Sequence, residues 1–410
     1  MPADKDNSIY DLRLLRDGQL AGYAPDARDG GIVKVGPDGS KTYNFYVRIP
    51  RDGRKKVTFS AYAYNCDLVK SDTSRVDFTV PGPMQAPATG RAYVISFGVN
   101  RYNNPILPDL RYCASDAYSI ERDLTQRLAA TGKYSEVVGI PLICDGTTKT
   151  ATGRNLQNIL DVLAGKAVKL SELAAIPNHQ KLLRANPEDL VVLSFSCHGD
   201  SGAGGKFYLF PPPLPSEQTD NSLADLEKNA VSSDDLFLWL RDLDAGQIAM
   251  VIDSCHSAAS IESGGFRPGP MDSPGLGQLA YDKGMRILAA SQAHDVALES
   301  DQIGHGLLTW ALTHDGLDLG LADNPKDGHI TMTKWLQYAA NRVPVLYTEA
   351  RNGGISTDGR EVGVKGAILI NVDHSTSPDP NNGVQRPSLF DFFKGADDPL
   401  ISQTPMSQSK

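Results

Sequence analysis

The chain is short of cysteine, and the few cysteines it has are arranged in a way that argues against two kinds of site. Five cysteines occur among 410 residues, an odd number, and no two of them form a Cys-x-x-Cys pair. This argues against a disulfide framework and against a zinc site, and it favours a reducing, cytoplasmic compartment. The five are Cys66, Cys113, Cys144, Cys197 and Cys255.

Positive charge and long apolar runs are also scarce. The chain has 40 Lys and Arg against 49 Asp and Glu, and its net charge of −9 argues against a nucleic-acid-binding surface. No apolar stretch approaches the roughly 18 residues needed to span a bilayer, and the N-terminal MPADKDNSIYDL has no basic region followed by an apolar run. The sequence therefore predicts neither a membrane segment nor a secretory signal, and its length suits two or three domains.

Residues 1–80 have the pattern of a small all-β domain. Short alternating runs separated by turn signals predict strands at 9–15, 31–35, 41–49, 55–64 and 73–80. This spacing suggests an immunoglobulin-like sandwich, which is a candidate binding site for a protein partner. The stretch PGPMQAPATG at 81–90 is a linker by composition.

From residue 91 the pattern changes to α/β. Strands alternate with helices, which predicts a mainly parallel sheet with helices on both faces. The tail at 373–410 is rich in Pro, Ser and Asp, and its SLFDFF (388–393) is predicted to be a short docked helix. The predicted strands are 91–99, 136–143, one that starts near Asp189, one that starts at 248 and leads to Cys255, 285–291 and 366–371; the predicted helices are 114–130, 153–164, 232–243, 304–314 and 331–343.

Two predicted strands end in reactive side chains. The run VVLSFSCHGD (191–200) contains His198 after its apolar stretch, and IAMVIDSCHSA (248–258) contains Cys255 after its own. Open α/β sheets place their chemistry at the carboxyl ends of such strands, and a thiol with an imidazole is the minimum apparatus for nucleophilic acyl transfer. Two Gly/Pro-rich segments, 201–231 and 256–284, follow these strands and are predicted to frame the cleft.

These motifs resemble those of caspase-fold (clan CD, peptidase C14-like) cysteine peptidases. The match begins with RAYVISFGVNRYNNPILPDLRYCASDAYSIERDL (91–124) and continues through SCHGD, DSCHSA, ILAASQAHDVALES (287–300) and GHGLLTWAL (304–312). The QAC[RQG]G of true caspases is missing, and DSCHSA is closer to metacaspases and prokaryotic caspase homologues, with Ala258 where glycine is usual. The resemblance implies a caspase-like peptidase domain at 91–372 without an organic cofactor.

The resemblance also implies catalytic roles for individual residues. Cys255 would be the nucleophile, and His198 would assist its attack and then protonate the leaving amine. The backbone N–H groups of Gly199 and Cys255 would bind the oxyanion. His256 follows the nucleophile directly, so on a strand end it would point away from Cys255 and is better interpreted as a structural residue.

Four further residues match the S1 pocket of metacaspases, which accepts Arg or Lys. Two carboxylates can hold a guanidinium or ammonium group and would repel an acidic side chain. The alternative is that Asp116 caps a helix and Asp253 accepts backbone hydrogen bonds. The four are Cys113, Asp116, Ser196 and Asp253.

The sequence predicts no metal site, although calcium remains a hypothesis because it activates several metacaspases. An acidic segment at 220–235 could bind a hard cation or could simply be a solvated loop and a helix start. The stretch DNPKDGHITMTK (323–334) is not an EF-hand loop, since Pro325 and Lys334 replace two ligands.

The motifs favour the prediction that the protein is a cysteine endopeptidase, which cleaves proteins or peptides after Arg or Lys. Two rivals are a catalytically silent caspase-like scaffold that binds partners, and a thiol-dependent acyltransferase or other hydrolase. A regulatory cut in 256–284 is a further hypothesis, with Lys283 followed by Gly284 as the preferred bond because Pro268 disfavours a cut after Arg267.

Overall fold

The computed structural model describes most of the chain, in fourteen stretches. Cys255 and His256 lie outside them, together with Arg267 and the predicted strands 31–35 and 366–371. The described residues are 9–24, 37–38, 40, 42–82, 87–104, 107–201, 206–212, 223–254, 276–290, 297–300, 303–351, 362–365, 384–395 and 397–404.

The N-terminal region forms one antiparallel sheet with the strand order β2-β1-β3-β4. The β1–β2 hairpin turns at Asp17 and Gly18, which both have positive φ. The strand predicted at 41–49 is wrong, because residues 42–50 carry no strand, and the second sheet of a sandwich is not found in the described part of 1–80. The strands are β1 (Ile9–Arg16), β2 (Gln19–Ala24), β3 (Lys56–Asn65) and β4 (Ser74–Thr79).

Six of the fourteen remaining described strands form a central sheet with the order β17-β12-β11-β7-β5-β6, in which only β17 is antiparallel to its neighbour. In chain order the fourteen strands are β5 (Arg91–Val99), β6 (Glu136–Cys144), β7 (Leu190–Ser196), β8 (His198–Ser201), β9 (Phe207–Phe210), β10 (Val231–Ser232), β11 (Gln247–Asp253), β12 (Arg286–Ala289), β13 (Ala297–Ser300), β14 (His305–Gly306), β15 (His329–Thr331), β16 (Val362–Lys365), β17 (Ser388–Asp391) and β18 (Leu400–Gln403).

Helices cover both faces of this sheet, as the sequence predicts. They are α1 (Cys113–Ala130), α2 (Gly153–Leu163), α3 (Leu170–Leu173), α4 (Leu223–Asn229), α5 (Ser233–Arg241), α6 (Leu276–Lys283), α7 (Leu307–Trp310) and α8 (Met332–Arg351), with a 3₁₀ turn at His179–Lys181 and a π-helix at Ala311–Asp318. Within the described stretches, no helix is long and apolar enough to cross a membrane.

Alternate residues of the strands enter two separate cores. Ile95 and Leu193 pack on one face with α2, α5 and α6. Val94 and Val192 pack on the other face with α1, α7 and α8, around the buried Trp335. Every residue of β7 is buried, which is why the strand opens with four consecutive apolar residues instead of an alternating pattern.

The strand order determines where a site can form. Counted along the chain, the five parallel strands β5, β6, β7, β11 and β12 are arranged 2-1-3-4-5. In such a sheet the connections after the first and third strands leave on opposite faces, which opens a crevice at their carboxyl ends. The predicted α/β class with a mainly parallel sheet is therefore confirmed, and the crevice lies beyond β5 and β7.

Two smaller sheets contain short strands that were not predicted from the sequence. The Gly/Pro-rich segment 201–231, predicted to frame the cleft, contains β9, α4 and β10, and the order of that sheet is β10-β9-β8. The sheet β14-β13-β16 lies within the region that follows β12. These strands have two to four residues each, too short for a recognisable period in the sequence.

The predicted helix at 388–393 is wrong. Residues Ser388–Asp391 form β17, which pairs antiparallel with β12 at the edge of the central sheet. Phe390 lies opposite Ile287 and Leu389 opposite Leu288. The backbone of β12 would otherwise be an unpaired sheet edge, and this gain outweighs the local preference of the tail.

The N-terminal sheet is docked on the α/β region through buried charges. The guanidinium of Arg13 pairs with Asp11 and with Asp282 of α6, and all three side chains are at most 1% exposed. The hydroxyl of Tyr62 also donates to Asp282 at 2.8 Å, and that of Tyr23 donates to Asp11 at 3.1 Å. We call these five residues the junction cluster.

The preferred cleavage site, Lys283–Gly284, is excluded in the folded chain. The Lys283 side chain is 5% exposed, and its ammonium donates to the carbonyls of Leu20 and Leu243 at 3.2 and 2.6 Å. The residue ends α6 and is followed almost at once by β12, so no extended segment is offered to a protease. A cut elsewhere in 256–275 concerns residues outside the described range.

Candidate active site

The carboxyl ends of three adjacent strands meet at the crevice. Ser196 at the end of β7 lies in register with Gly98 of β5 on one side and with Asp253 of β11 on the other. His198 comes two residues after Ser196. Cys255 comes two residues after Asp253 and lies outside the described residues; Ser254, which precedes it, is fully buried.

Within the described part of the chain, one ring nitrogen of His198 is hydrogen-bonded and the other is not. Its Nε2 lies 2.6 Å from the carbonyl oxygen of Pro108, and since a carbonyl only accepts, Nε2 carries the hydrogen. The other nitrogen, Nδ1, is buried and has no hydrogen-bond partner among the residues that the structure describes. The ring is therefore held in the tautomer that leaves Nδ1 as a proton acceptor.

The surroundings of His198 favour its neutral form. The side chain is fully buried, and this burial lowers the pKa of His198 to about 4; the carbonyl of Pro108 and the charge of Asp109 act weakly in the opposite direction. At neutral pH the imidazole is consequently uncharged. A neutral imidazole with a vacant nitrogen is the form required of a general base.

Tyr102 fixes the backbone and ring of His198. Its hydroxyl accepts the His198 backbone N–H at 2.8 Å, and the two rings lie 4.6 Å apart between centroids. Tyr102 is fully buried, and its own backbone N–H donates to Asp109 at 2.9 Å. The loop between β5 and α1 thus supplies both Tyr102 and Pro108, so this one loop orients the histidine. We call His198, Tyr102 and Pro108 the histidine site.

The structure brings two of the four predicted pocket residues into direct contact. The Asp116 carboxylate accepts the Ser196 hydroxyl at 2.8 Å, and both side chains are buried. Asp253, paired in register with Ser196, accepts the Thr309 hydroxyl at 3.3 Å and is 1% exposed. Cys113, the first residue of α1, is also buried.

Gly98 allows α1 to approach the strand ends so closely. A Cβ at this position would lie 2.3 Å from the carbonyl oxygen of Cys113 and 2.7 Å from the Cβ of Ala117. Any larger residue would push the start of α1, with its pocket residues, away from the sheet.

Two residues of the β13–β14 hairpin reach the crevice without having been predicted as site residues. Glu299 is 3% exposed, and its carboxylate accepts the backbone N–H groups of Arg111 and Tyr112 and lies 3.5 Å from the Cys113 sulfur. His305 donates from Nδ1 to Asp116 at 2.9 Å. Both contacts join residues more than 180 positions apart, so no local pattern could reveal them.

The Asp116 partners decide between the two interpretations of this residue. Three of these partners are Ser196, the His305 ring and the Gly306 backbone N–H at 3.0 Å, and all three lie outside α1. The N-cap of α1 is Tyr112, which makes no side-chain capping bond. Asp116 therefore ties α1 to β7 and to the β13–β14 hairpin at the crevice.

The remaining predicted residues are placed as follows. Gly199 lies in β8, opposite Leu209 of β9, and is buried beside His198. His256 lies outside the described residues. Asp235, one of the acidic residues considered for calcium, forms a capping box with Ser232 at the start of α5, and Asp234 pairs with Lys206 at 2.6 Å. Across the described stretches, no three His, Cys, Asp or Glu side chains are grouped as metal ligands would be.

Comparisons with known proteins add no relative. A scan against known protein families finds none that matches the chain, and a search of curated proteins finds no similar sequence. The caspase-like assignment stays a prediction, which rests on the sequence motifs and on the geometry described above.

Proposed function

We propose that this protein is a cysteine endopeptidase of the caspase/metacaspase type that cleaves after Arg or Lys. The observation that carries the proposal is the histidine site. A buried, neutral imidazole is fixed through Nε2 on Pro108, and its Nδ1, which has no hydrogen-bond partner among the described residues, lies beyond the end of the strand beside β11. The chain that continues β11 carries Cys255 two residues beyond its end.

The chemistry follows from this arrangement. Nδ1 of His198 takes the thiol proton of Cys255, and the sulfur attacks the carbonyl carbon of the scissile bond. The imidazolium, whose Nε2–H stays on the Pro108 carbonyl, then gives its Nδ1 proton to the leaving amine, and the C–N bond breaks. A water molecule hydrolyses the thioester with His198 again acting as base. The N–H groups of Gly199 and Cys255 bind the oxyanion.

The acidic residues at the crevice support a basic P1 side chain. Asp116 and Asp253 are both buried carboxylates. Ser196 connects them, because it donates to Asp116 and is paired with Asp253 across the adjacent strands β7 and β11. The order 2-1-3-4-5 of the five parallel strands, all within residues 91–372, supports the finer proposal that these residues form a caspase-like domain whose sheet is extended by an antiparallel edge strand. The tail beyond 372 contributes that edge strand.

Turnover of peptide amides tests the chemistry. The wild-type chain should cleave an Arg- or Lys-peptide amide, and Cys255→Ala should lower kcat/KM by several orders of magnitude. Cys66→Ala, which removes an exposed cysteine of the N-terminal region, is the matched control and should leave the rate unchanged. A basic chloromethyl ketone should alkylate Cys255 in the wild-type chain.

Three outcomes distinguish the rival functions. Retention of more than about a tenth of the rate in Cys255→Ala contradicts the nucleophile assignment. Alkylation of Cys255 without amide turnover points to an acyltransferase or another hydrolase, and neither alkylation nor turnover points to a silent scaffold.

Substrate choice tests the pocket separately. Asp253→Ala or Asp116→Ala should weaken cleavage after Arg and Lys by about 2–5 kcal/mol in kcat/KM, because a buried charge-assisted contact with the substrate is lost. A wild-type preference for Asp at P1 contradicts the pocket assignment.

A further inference from the structure

Both oxygens of Asp116 accept hydrogen bonds from the protein itself, and Oδ1 accepts two. Oδ1 accepts the Nδ1–H of His305 at 2.9 Å and the backbone N–H of Gly306 at 3.0 Å, while Oδ2 accepts the Ser196 hydroxyl at 2.8 Å. An ionised carboxylate is an acceptor only, so the His305 hydrogen must be on Nδ1. The carboxylate predicted to hold the substrate cation therefore already holds an imidazole.

His305 is the accessible member of this group. Its side chain is 19% exposed, whereas those of Asp116 and Ser196 are 1% and 2% exposed. A ligand arriving from solvent can thus reach the imidazole more readily than the carboxylate beneath it.

His305 is also held in place from other directions. Its backbone pairs with Ser300 in the β13–β14 hairpin, and Glu299 of the same hairpin is bonded to the N–H groups of Arg111 and Tyr112. Trp310 lies 6.2 Å from its ring between centroids. The hairpin is therefore fixed at both ends to the start of α1, and the imidazole remains on Asp116.

We propose that His305 is a specificity-determining residue that shifts the S1 pocket from Arg toward Lys. The inference rests on the proposed peptidase function and adds a residue to its pocket. A guanidinium binds a carboxylate best through two parallel hydrogen bonds, one to each oxygen. An ammonium is a point charge that needs no such fork. With the imidazole on Oδ1, a bidentate Arg contact has to displace a hydrogen bond that a Lys contact can leave intact.

Kinetics with paired substrates test this inference. For amides that differ only in Arg or Lys at P1, His305→Ala should raise the Arg/Lys ratio of kcat/KM about tenfold, the equivalent of one hydrogen bond to a charged group. His305→Asn places an amide N–H near the position of Nδ1 and should restore a ratio close to that of the wild type. His329→Ala removes an exposed histidine of strand β15, which is not part of the predicted pocket, and is the matched control.

The outcomes are distinct. An unchanged Arg/Lys ratio in His305→Ala overturns the inference, even if kcat/KM falls. A purely structural role of His305 would lower kcat/KM by the same factor for both substrates. If the wild type cleaves neither amide, the proposed function fails, and the inference is then decided by binding alone.

The binding experiment uses the Cys255→Ala chain, in which no turnover occurs. Calorimetric titration with agmatine, which carries a guanidinium, and with n-butylamine, which carries an ammonium, measures the pocket directly. His305→Ala in this background should strengthen agmatine binding about tenfold relative to n-butylamine. Binding of both amines that is unchanged by the substitution, or no binding of either amine to any variant, overturns the inference.

Discussion

At the junction cluster every buried charge faces an opposite charge, whereas at the histidine site a buried polar ring keeps one nitrogen without a described partner. Arg13 lies between Asp11 and Asp282, and each of these carboxylates also accepts a tyrosine hydroxyl. His198 has the Pro108 carbonyl on Nε2, and among the described residues nothing bonds Nδ1.

This difference separates structural burial of polar groups from burial that serves chemistry. Charges removed from water are tolerated when they are paired, and the pairs fix how two parts of a chain fit together. A buried polar atom without a described partner costs free energy, but it is not by itself a sign of chemistry, since Oδ1 of Asp11 in the junction cluster is another such atom. At the histidine site the atom belongs to a neutral ring that can accept a proton, at the crevice beyond the strand ends. We accordingly interpret the junction cluster as a set of contacts that holds the N-terminal sheet on the α/β region, and the histidine site as the proposed reactive centre.

The largest expected effect comes from removing the His198 ring. His198→Ala should lower kcat/KM by several orders of magnitude, as the loss of a general base does in other nucleophile–base pairs. The free energy of unfolding should fall by only about 1–3 kcal/mol, mainly because the buried Pro108 carbonyl loses its donor. Amidase assays and urea unfolding measure the two quantities, with His179→Ala as a control outside the site. An active His198→Ala chain would contradict the assignment of His198 as the general base.

The junction cluster should respond in the opposite way. Asp282→Ala leaves Arg13 with one of its two carboxylates and removes the acceptor of Tyr62, and it should lower the free energy of unfolding by about 3–5 kcal/mol. The folded fraction should keep its kcat/KM. Asp52→Ala removes a carboxylate from an ion pair with Arg54 that is 37% exposed on both sides, and it should cost less than about 1 kcal/mol. Equal losses in the two variants would contradict the role given to the junction cluster.

The pKa of His198 predicts how acid affects the histidine site. Burial lowers the pKa to about 4 from about 6.5 in an unfolded chain. As pH falls from 6.5 toward 4, the unfolded chain binds a proton that the folded chain does not, so stability is lost over this window, by about 3 kcal/mol in total. Activity should hold down to about pH 5 and fall near pH 4, because the base must be neutral.

Urea unfolding at pH 7 and pH 4.5 measures this loss. His198→Asn, which has no titrating ring, should lose less stability than the wild type over the same interval. An acid limb of kcat/KM near pH 6.5 would show that His198 titrates as it does in water.

The sequence predicted the central sheet because β5, β6, β7 and β11 are buried on both faces and read as long apolar runs. His198 stands out for the same reason, because it closely follows a buried apolar strand. The four pocket residues were predicted from the resemblance to metacaspases, and their role stays a prediction. The β1–β2 hairpin was missed, although Asp17-Gly18 is a strong local signal for such a turn.

What could not be predicted is long-range or very short. Glu299 and His305 act on the start of α1 from a hairpin that pairs over two residues, and their partners are set only when the sheet is folded. Pro108 contributes a backbone carbonyl, for which any residue would serve, so its identity carried no signal. The tail strand β17 has the composition of a helix or a strand, and the unpaired edge of β12 decides between them.

The smallest expected effect gives the closest comparison, because the same atom is removed from each cluster. Tyr62→Phe deletes a hydroxyl that donates to Asp282, a carboxylate that keeps Arg13 and Gln278 as donors. It should cost about 1 kcal/mol of stability and leave activity unchanged. Tyr102→Phe deletes the acceptor of the buried His198 N–H, which should cost about 1–3 kcal/mol. It should also lower kcat more than it changes KM, since the catalytic ring loses its alignment. If both variants kept full activity, Tyr102 would be only a packing residue, and the orientation of His198 would then rest on Pro108 alone.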